Sequence, residues 1–140
     1  MAYAPEAVNR YLFVYGTLLS SAGHPMGERL SREARLIGPA SVEGRLYRID
    51  WYPGLVEAAA PGERAYGELY ALDDAAASLA WLDAYEGLVP GSPHHGEYAR
   101  AERAVRLSDG TERVAWTYLY LGDTGRLTPV RGGRWLIRAE

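Results

Sequence analysis

The chain of 140 residues contains no cysteine, and its 15 basic side chains are all arginine, so lysine is missing as well. Without cysteine there is no thiolate nucleophile, disulfide framework, iron–sulfur cluster or thiolate zinc site. Without lysine there is no internal Schiff base and no phosphate-loop lysine. Long apolar runs are also lacking: none approaches the roughly 18 residues of a membrane span. Met1 to Asn9 hold no basic cluster followed by an apolar stretch, so neither a secretory signal nor a membrane protein is expected. The net charge is −3 and the arginines are scattered along the chain, which leaves no phosphate-backbone footprint and makes nucleic acid an unexpected partner. The 48% of hydrophobic residues is the share of an ordinary globular chain, enough to build a core without staples. One domain over residues 1–140, in the cytoplasm by default, is the expectation.

Carboxylates, hydroxyls, three histidines, arginines and backbone remain as the chemical inventory. The run Arg10 to Tyr15 is aromatic and β-branched, stops at Gly16 and predicts a buried first strand. Pro25 is placed to open a short helix carrying Met26, Leu30 and Ala34 on one face. Ile37 to Ile49 suggest one or two strands with a bend, Tyr52-Pro53-Gly54 a turn, and Ala65 to Leu72 another strand. Asp73 and Asp74 predict the N-terminus of an alanine-rich helix that ends at Gly87. Leu88 to Gly96 reads as a loop. Asp109-Gly110 predicts a two-residue hairpin that sets Val105 opposite Val114, Ala101 opposite Tyr118 and Ala99 opposite Tyr120. Leu127 to Ile137 is expected to be irregular with one short strand. Many strands with few helices give an α+β or β-barrel architecture, and periodicity alone does not choose between them.

Glu86 carries the most chemical information. On a helix advancing about 100° per residue, Leu72, Ala75, Leu79, Leu82 and Glu86 form one stripe, which sets a carboxylate on an apolar face. Either the stripe tilts out at its last turn and Glu86 reaches solvent, or the carboxylate is buried. In the second case burial and the negative helix C-terminus both raise its pKa, and it exchanges protons near neutrality. Asp83, on the edge of the same stripe, is the runner-up carboxylate. Tyr15-Gly16-Thr17-Leu18 is either a structural turn or a nest of amides for an oxyanion. His24, His94 and His95 lack metal-motif spacing and predict surface loops, so no metal site is expected. Ser92 is outside any nucleophile elbow, and Gly132-Gly133 lacks the spacing of a nucleotide fingerprint.

Taken in order, Tyr15-Gly16-Thr17-Leu18, Gly44-Arg45-Leu46-Tyr47, Tyr52-Pro53-Gly54, Tyr66-Gly67-Glu68-Leu69-Tyr70, Leu82-Asp83-Ala84-Tyr85-Glu86-Gly87, Tyr98-Ala99-Arg100 and Trp116-Thr117-Tyr118 resemble the γ-glutamylcyclotransferase-like superfamily, whose members of this size are often called AIG2-like. The resemblance runs from about Leu12 to Tyr120. It implies an α+β fold, a small mixed β-barrel with flanking helices, and a cavity at the end of the first strand. It also implies that Glu86 is the catalytic acid/base, that Tyr15, Gly16, Thr17 and Leu18 supply amides to the substrate, and that Tyr98 lines the pocket. Thr17 brings the chain nearer the γ-glutamylamine branch. The implied reaction needs no cofactor: the substrate's own α-amine closes a five-membered ring on the γ-carbonyl, giving 5-oxoproline and a free amine. Arg100 or Arg48, or backbone amides, would hold the α-carboxylate. The partner is then a small γ-glutamyl compound. A non-catalytic binding module with the same pocket, and γ-glutamyl removal within a biosynthetic pathway, are the alternatives. The two prolines and paired histidines between Leu88 and Gly96 can shape or cover the pocket.

Overall fold

A computed structural model describes residues 9–87 and 97–135. Five strands close into a barrel in the order β1 (Tyr11–Val14), β5 (Arg64–Leu72), β2 (Ala34–Glu43), β6 (Tyr98–Leu107) and β7 (Glu112–Tyr120). All neighbours are antiparallel except β7 and β1, which close the ring in parallel with Leu12 opposite Trp116. A second sheet joins β4 (Pro53–Val56), β3 (Arg45–Arg48) and β8 (Thr128–Pro129). Two helices, α1 (Pro25–Glu33) and α2 (Ala75–Tyr85), complete the α+β architecture.

Strand alternation sorts the apolar residues into two cores. Phe13 and Tyr15 join Ala40, Val42, Ala65, Leu69, Val105 and Ala115, one or more from every barrel strand, and Leu46 and Leu55 of the small sheet complete this inner cluster. Leu12 and Val14 point the other way, toward Leu30 of α1 and Leu79 and Leu82 of α2, with Tyr70, Tyr98 and Tyr118. The strand β1 is thus buried on both faces, which is why it reads as a continuous apolar run.

The predicted helices stand, and their ends have clear causes. Pro25 opens α1, and the His24 side chain caps it, Nδ1 accepting the Met26 N–H at 3.1 Å. Asp74 caps α2 by accepting the Ala77 N–H at 3.2 Å, and Glu86 is the C-cap residue before Gly87. Trp81, on the side of α2 away from the leucines, is covered by α1: its Nε1 donates to Glu33 Oε1 at 2.8 Å and the Arg29 guanidinium lies 4.4 Å from its ring centroid. Glu33 also accepts from Ser78 and Arg29, so one carboxylate ties the two helices together.

Four expectations need correction. The first strand stops at Val14, so Tyr15 is the first residue of the loop. Ala34 and Leu72, expected on helical stripes, belong to strands β2 and β5, though both still face the outer core. Pro53-Gly54 is not a turn: it starts edge strand β4, pairing with Arg48 and Tyr47, where proline's missing donor costs the ladder nothing. The β6–β7 hairpin has a three-residue loop, Ser108 to Gly110, closed by the Leu107 N–H on Thr111 O at 2.8 Å. Gly110 takes the left-handed φ of 89° that such a loop requires. The register is therefore one residue from the expected one: Val105 faces Arg113, Ala101 faces Thr117 and Ala99 faces Leu119. That slip turns Ala115 inward and leaves Val114 54% exposed. The loop from Leu88 to Gly96, with Ser92, His94 and His95, lies outside the described residues, as does Ile137.

Candidate active site

Where β1 ends, the chain turns through Tyr15-Gly16-Thr17-Leu18 along the wall of a cavity of about 180 Å³. Tyr15, Gly16 and Thr17 are each held by different neighbours. The Tyr15 hydroxyl donates to Tyr118 O at 2.6 Å and accepts the Leu55 N–H at 3.2 Å, tying the loop to β7 and β4. Gly16 lies against the Pro53 ring so closely that a Cβ would meet it at 2.8 Å. Thr17 Oγ1 is 2.7 Å from the Tyr85 hydroxyl at the end of α2. Among the described residues, no acceptor takes the N–H groups of Gly16, Thr17 or Leu18. Three consecutive donors without an internal partner thus lie in a loop that lines the cavity.

The end of α2 brings Tyr85 and Glu86 to the same cavity. Glu86 is partly buried, and burial pushes its carboxyl up to about 8, helped by the negative charges of Glu97 and Asp83. The stripe does not tilt away from the cavity at its last turn. Burial also pushes the hydroxyls of Tyr15, Tyr85, Tyr98 and Tyr118 upward, so these stay protonated and neutral while Glu86 alone among them is moved toward neutrality. Tyr98 lines the cavity with its ring and spends its hydroxyl on Pro53 O at 2.7 Å. Pro53, read from sequence as part of a turn, is thus the residue against which both Gly16 and Tyr98 are set.

The other sequence candidates are elsewhere. Asp83 does not line the cavity: it accepts from Arg100 at 2.8 and 3.2 Å and from the Tyr118 hydroxyl at 2.7 Å, so it holds a cavity tyrosine in place. Arg100 is committed to Asp83 and stacks 4.3 Å from the Trp116 ring centroid, while Arg48 stacks over Trp135. Neither arginine lines the cavity, so the expectation that one holds a carboxylate there is not met. Among the described residues no cluster of three His, Asp or Glu side chains is placed to hold a metal.

Several lining residues escaped the sequence reading: Trp51, Tyr52, Tyr85, Glu97 and Tyr118. One signal was available, since the Trp51-Tyr52 pair sits in a short polar stretch where large aromatics have no core to join. Glu97 had no such signal. Its N–H donates to Gly87 O at 3.3 Å and its carbonyl accepts from Leu121 at 2.9 Å, contacts that only the folded chain creates.

The chain is similar in sequence and in fold to known proteins. The γ-glutamylcyclotransferase family protein ytfP of Citrobacter rodentium is 34% identical over 131 residues, 92% of this chain and 97% of that protein. The solution structure of ytfP from Escherichia coli is 33% identical with a TM-score of 0.62, covering 90% of this chain and 96% of that one. An AIG2-like protein from Mus musculus shares the fold at a TM-score of 0.66 and 22% identity, over 94% and 97% of the two chains. The family model described as gamma-glutamyl cyclotransferase, AIG2-like, matches residues 12–137. The chain therefore belongs to the γ-glutamyl cyclotransferase, AIG2-like family.

Proposed function

We propose that the protein is a cyclotransferase that converts a γ-glutamyl amine or γ-glutamyl amino acid into 5-oxoproline and the free amine. The observation that carries this reading is the pairing, in one cavity, of a carboxyl raised toward neutrality with a run of open backbone donors. In the reaction the α-amine nitrogen bonds to the γ-carbonyl carbon, and the bond from that carbon to the leaving nitrogen breaks. Glu86 relays two protons in turn to the leaving nitrogen, one from the α-ammonium before attack and one from the ring nitrogen after it, so the amine departs as its ammonium and no water and no cofactor enters the balance. The Gly16, Thr17 and Leu18 amides hold the anionic groups, the oxyanion of the tetrahedral state and the α-carboxylate, a task left to backbone because no described arginine lines the cavity. The walls are rigid because the tyrosine hydroxyls already have partners: Tyr15 on Tyr118 O, Tyr98 on Pro53 O and Tyr118 on Asp83. Pinning the γ-glutamyl chain in its ring-closing conformer then supplies the advantage of an intramolecular reaction.

A panel of γ-glutamyl amines and dipeptides, assayed for 5-oxoproline, tests the proposal. Glu86→Gln is expected to lower turnover by about 10²-fold or more at unchanged circular dichroism. Release of glutamate in place of 5-oxoproline would convert the reading to a hydrolase. Wild type and variant equally inactive, yet both binding 5-oxoproline, would leave a binding module in the same pocket.

A further inference from the structure

Resting on the cyclotransferase reading, we propose that the outer end of the cavity selects a leaving amine that carries a second, positive charge, such as a diamine or polyamine monoacylated by γ-glutamate. Exposure orients the cavity. Tyr15 and Tyr98 are nearly buried at its inner end, whereas Trp51, 58% exposed, and Glu97 form its outer rim. The γ-glutamyl moiety takes the inner end beside the loop amides and Glu86, so the leaving group runs outward past Trp51, Tyr52 and Glu97.

Among the described residues, the charge on this path is one-sided. Two carboxylates, Glu86 and Glu97, line the cavity and no described arginine does. Ring closure uses Glu86 and leaves Glu97 without a task. Glu97 is nevertheless fixed in place: the Tyr52 hydroxyl donates to one of its oxygens and its backbone is tied to Gly87 and Leu121. The aromatic side of the path suits a cation as well. Trp51 meets Tyr52 edge-on at 5.2 Å and 80°, and it also stacks on His24 at 5.9 Å and 10°. His24 is itself held behind Trp51 by its cap on α1, where Nδ1 accepts the Met26 N–H. A carboxylate flanked by an exposed tryptophan and a tyrosine attracts an ammonium by Coulomb and cation–π forces together, and repels a carboxylate. An amino-acid leaving group, whose carboxylate would pass Glu97, is therefore the poorer substrate.

Three amides of matched length test this: γ-glutamyl-putrescine, γ-glutamyl-pentylamine and γ-glutamyl-aminopentanoate, with cationic, neutral and anionic ends. In wild type kcat/KM is expected to fall in that order, with cation over neutral by about tenfold at low salt, narrowing as salt is raised. Glu97→Gln and Trp51→Ala should each bring the cation-to-neutral ratio toward one. Equal or faster turnover of the neutral amide in wild type, or a ratio that neither substitution moves, overturns the inference and leaves the cyclotransferase reading standing. Should no amide be turned over, the reading of the reaction fails, and the inference is decided by binding to the Glu86→Gln variant followed by Trp51 fluorescence. Tighter binding of γ-glutamyl-putrescine than of γ-glutamyl-pentylamine then sustains it, and equal binding overturns it.

Discussion

At the level of single residues, Glu86 links chemistry to stability through one number. A carboxyl whose ionisation lies at about 8 in the folded chain, against 4.5 in the unfolded one, holds a proton across that window that the unfolded chain has released. Folding stability therefore falls as pH rises from about 4.5 to about 8, and the full cost of the buried charge is present above that. Glu86→Gln removes the cost: melting curves should show no advantage for the variant at pH 4 and a gain on the order of 2 kcal/mol at pH 9, after allowance for the water that reaches the cavity. In the proposed reaction only the carboxylate accepts a proton from the α-ammonium, so the acid limb of kcat/KM is expected near pH 8. A limb at pH 5 would mean that the group acting is an ordinary exposed carboxyl. The position of Glu86 was legible in sequence because helical periodicity and a terminating glycine are both local. That the cavity's second carboxylate is Glu97 was not legible, because Glu97 reaches it through contacts with Gly87 and Leu121 and not through any pattern of its own.

Among the elements, the two helices are tied by Glu33, which accepts from Trp81, Ser78 and Arg29; these bonds hold its carboxyl down to about 2. The sign here is opposite to that of Glu86. The contribution is fully present above pH 4.5 and is lost as pH falls toward 2. Glu33→Ala should cost about 1–3 kcal/mol at neutral pH and much less at pH 2.5, read from denaturant midpoints. A uniform loss at both values would assign the effect to packing alone. Helix ends were readable from proline, aspartate and glycine, whereas the β6–β7 register was not. Two- and three-residue loops both seat Gly110 at positive φ, and the choice between them is made by burying Ala115 and Thr117 inside the barrel, a long-range preference. Pro53 misled for the same reason: proline followed by glycine signals a turn locally, and pairing with Arg48 overrides it.

Over the whole molecule, closure depends on strands that approach more tightly than side chains permit. A Cβ on Gly67 would lie 1.9 Å from Val14 O, so Gly67→Ala drives β5 away from β1. A loss of about 3 kcal/mol or more is expected, with the loop after Val14 displaced as well, which 5-oxoproline binding by any soluble variant would read. A stability change under 1 kcal/mol would mean that β1 can shift without opening the barrel. The barrel class itself was suggested by motif order and could not be fixed by periodicity, since closure rests on β1 meeting β7 across most of the chain's length. That meeting has a consequence in time. The amides of Gly16 to Leu18 are translated early, yet the loop is held by Tyr118 O and Leu55, and its strand by Trp116. Such distant partners meet late and slowly. The loop is therefore expected to take its final shape late, so that ligand binding, if the proposed site is right, reports completed folding.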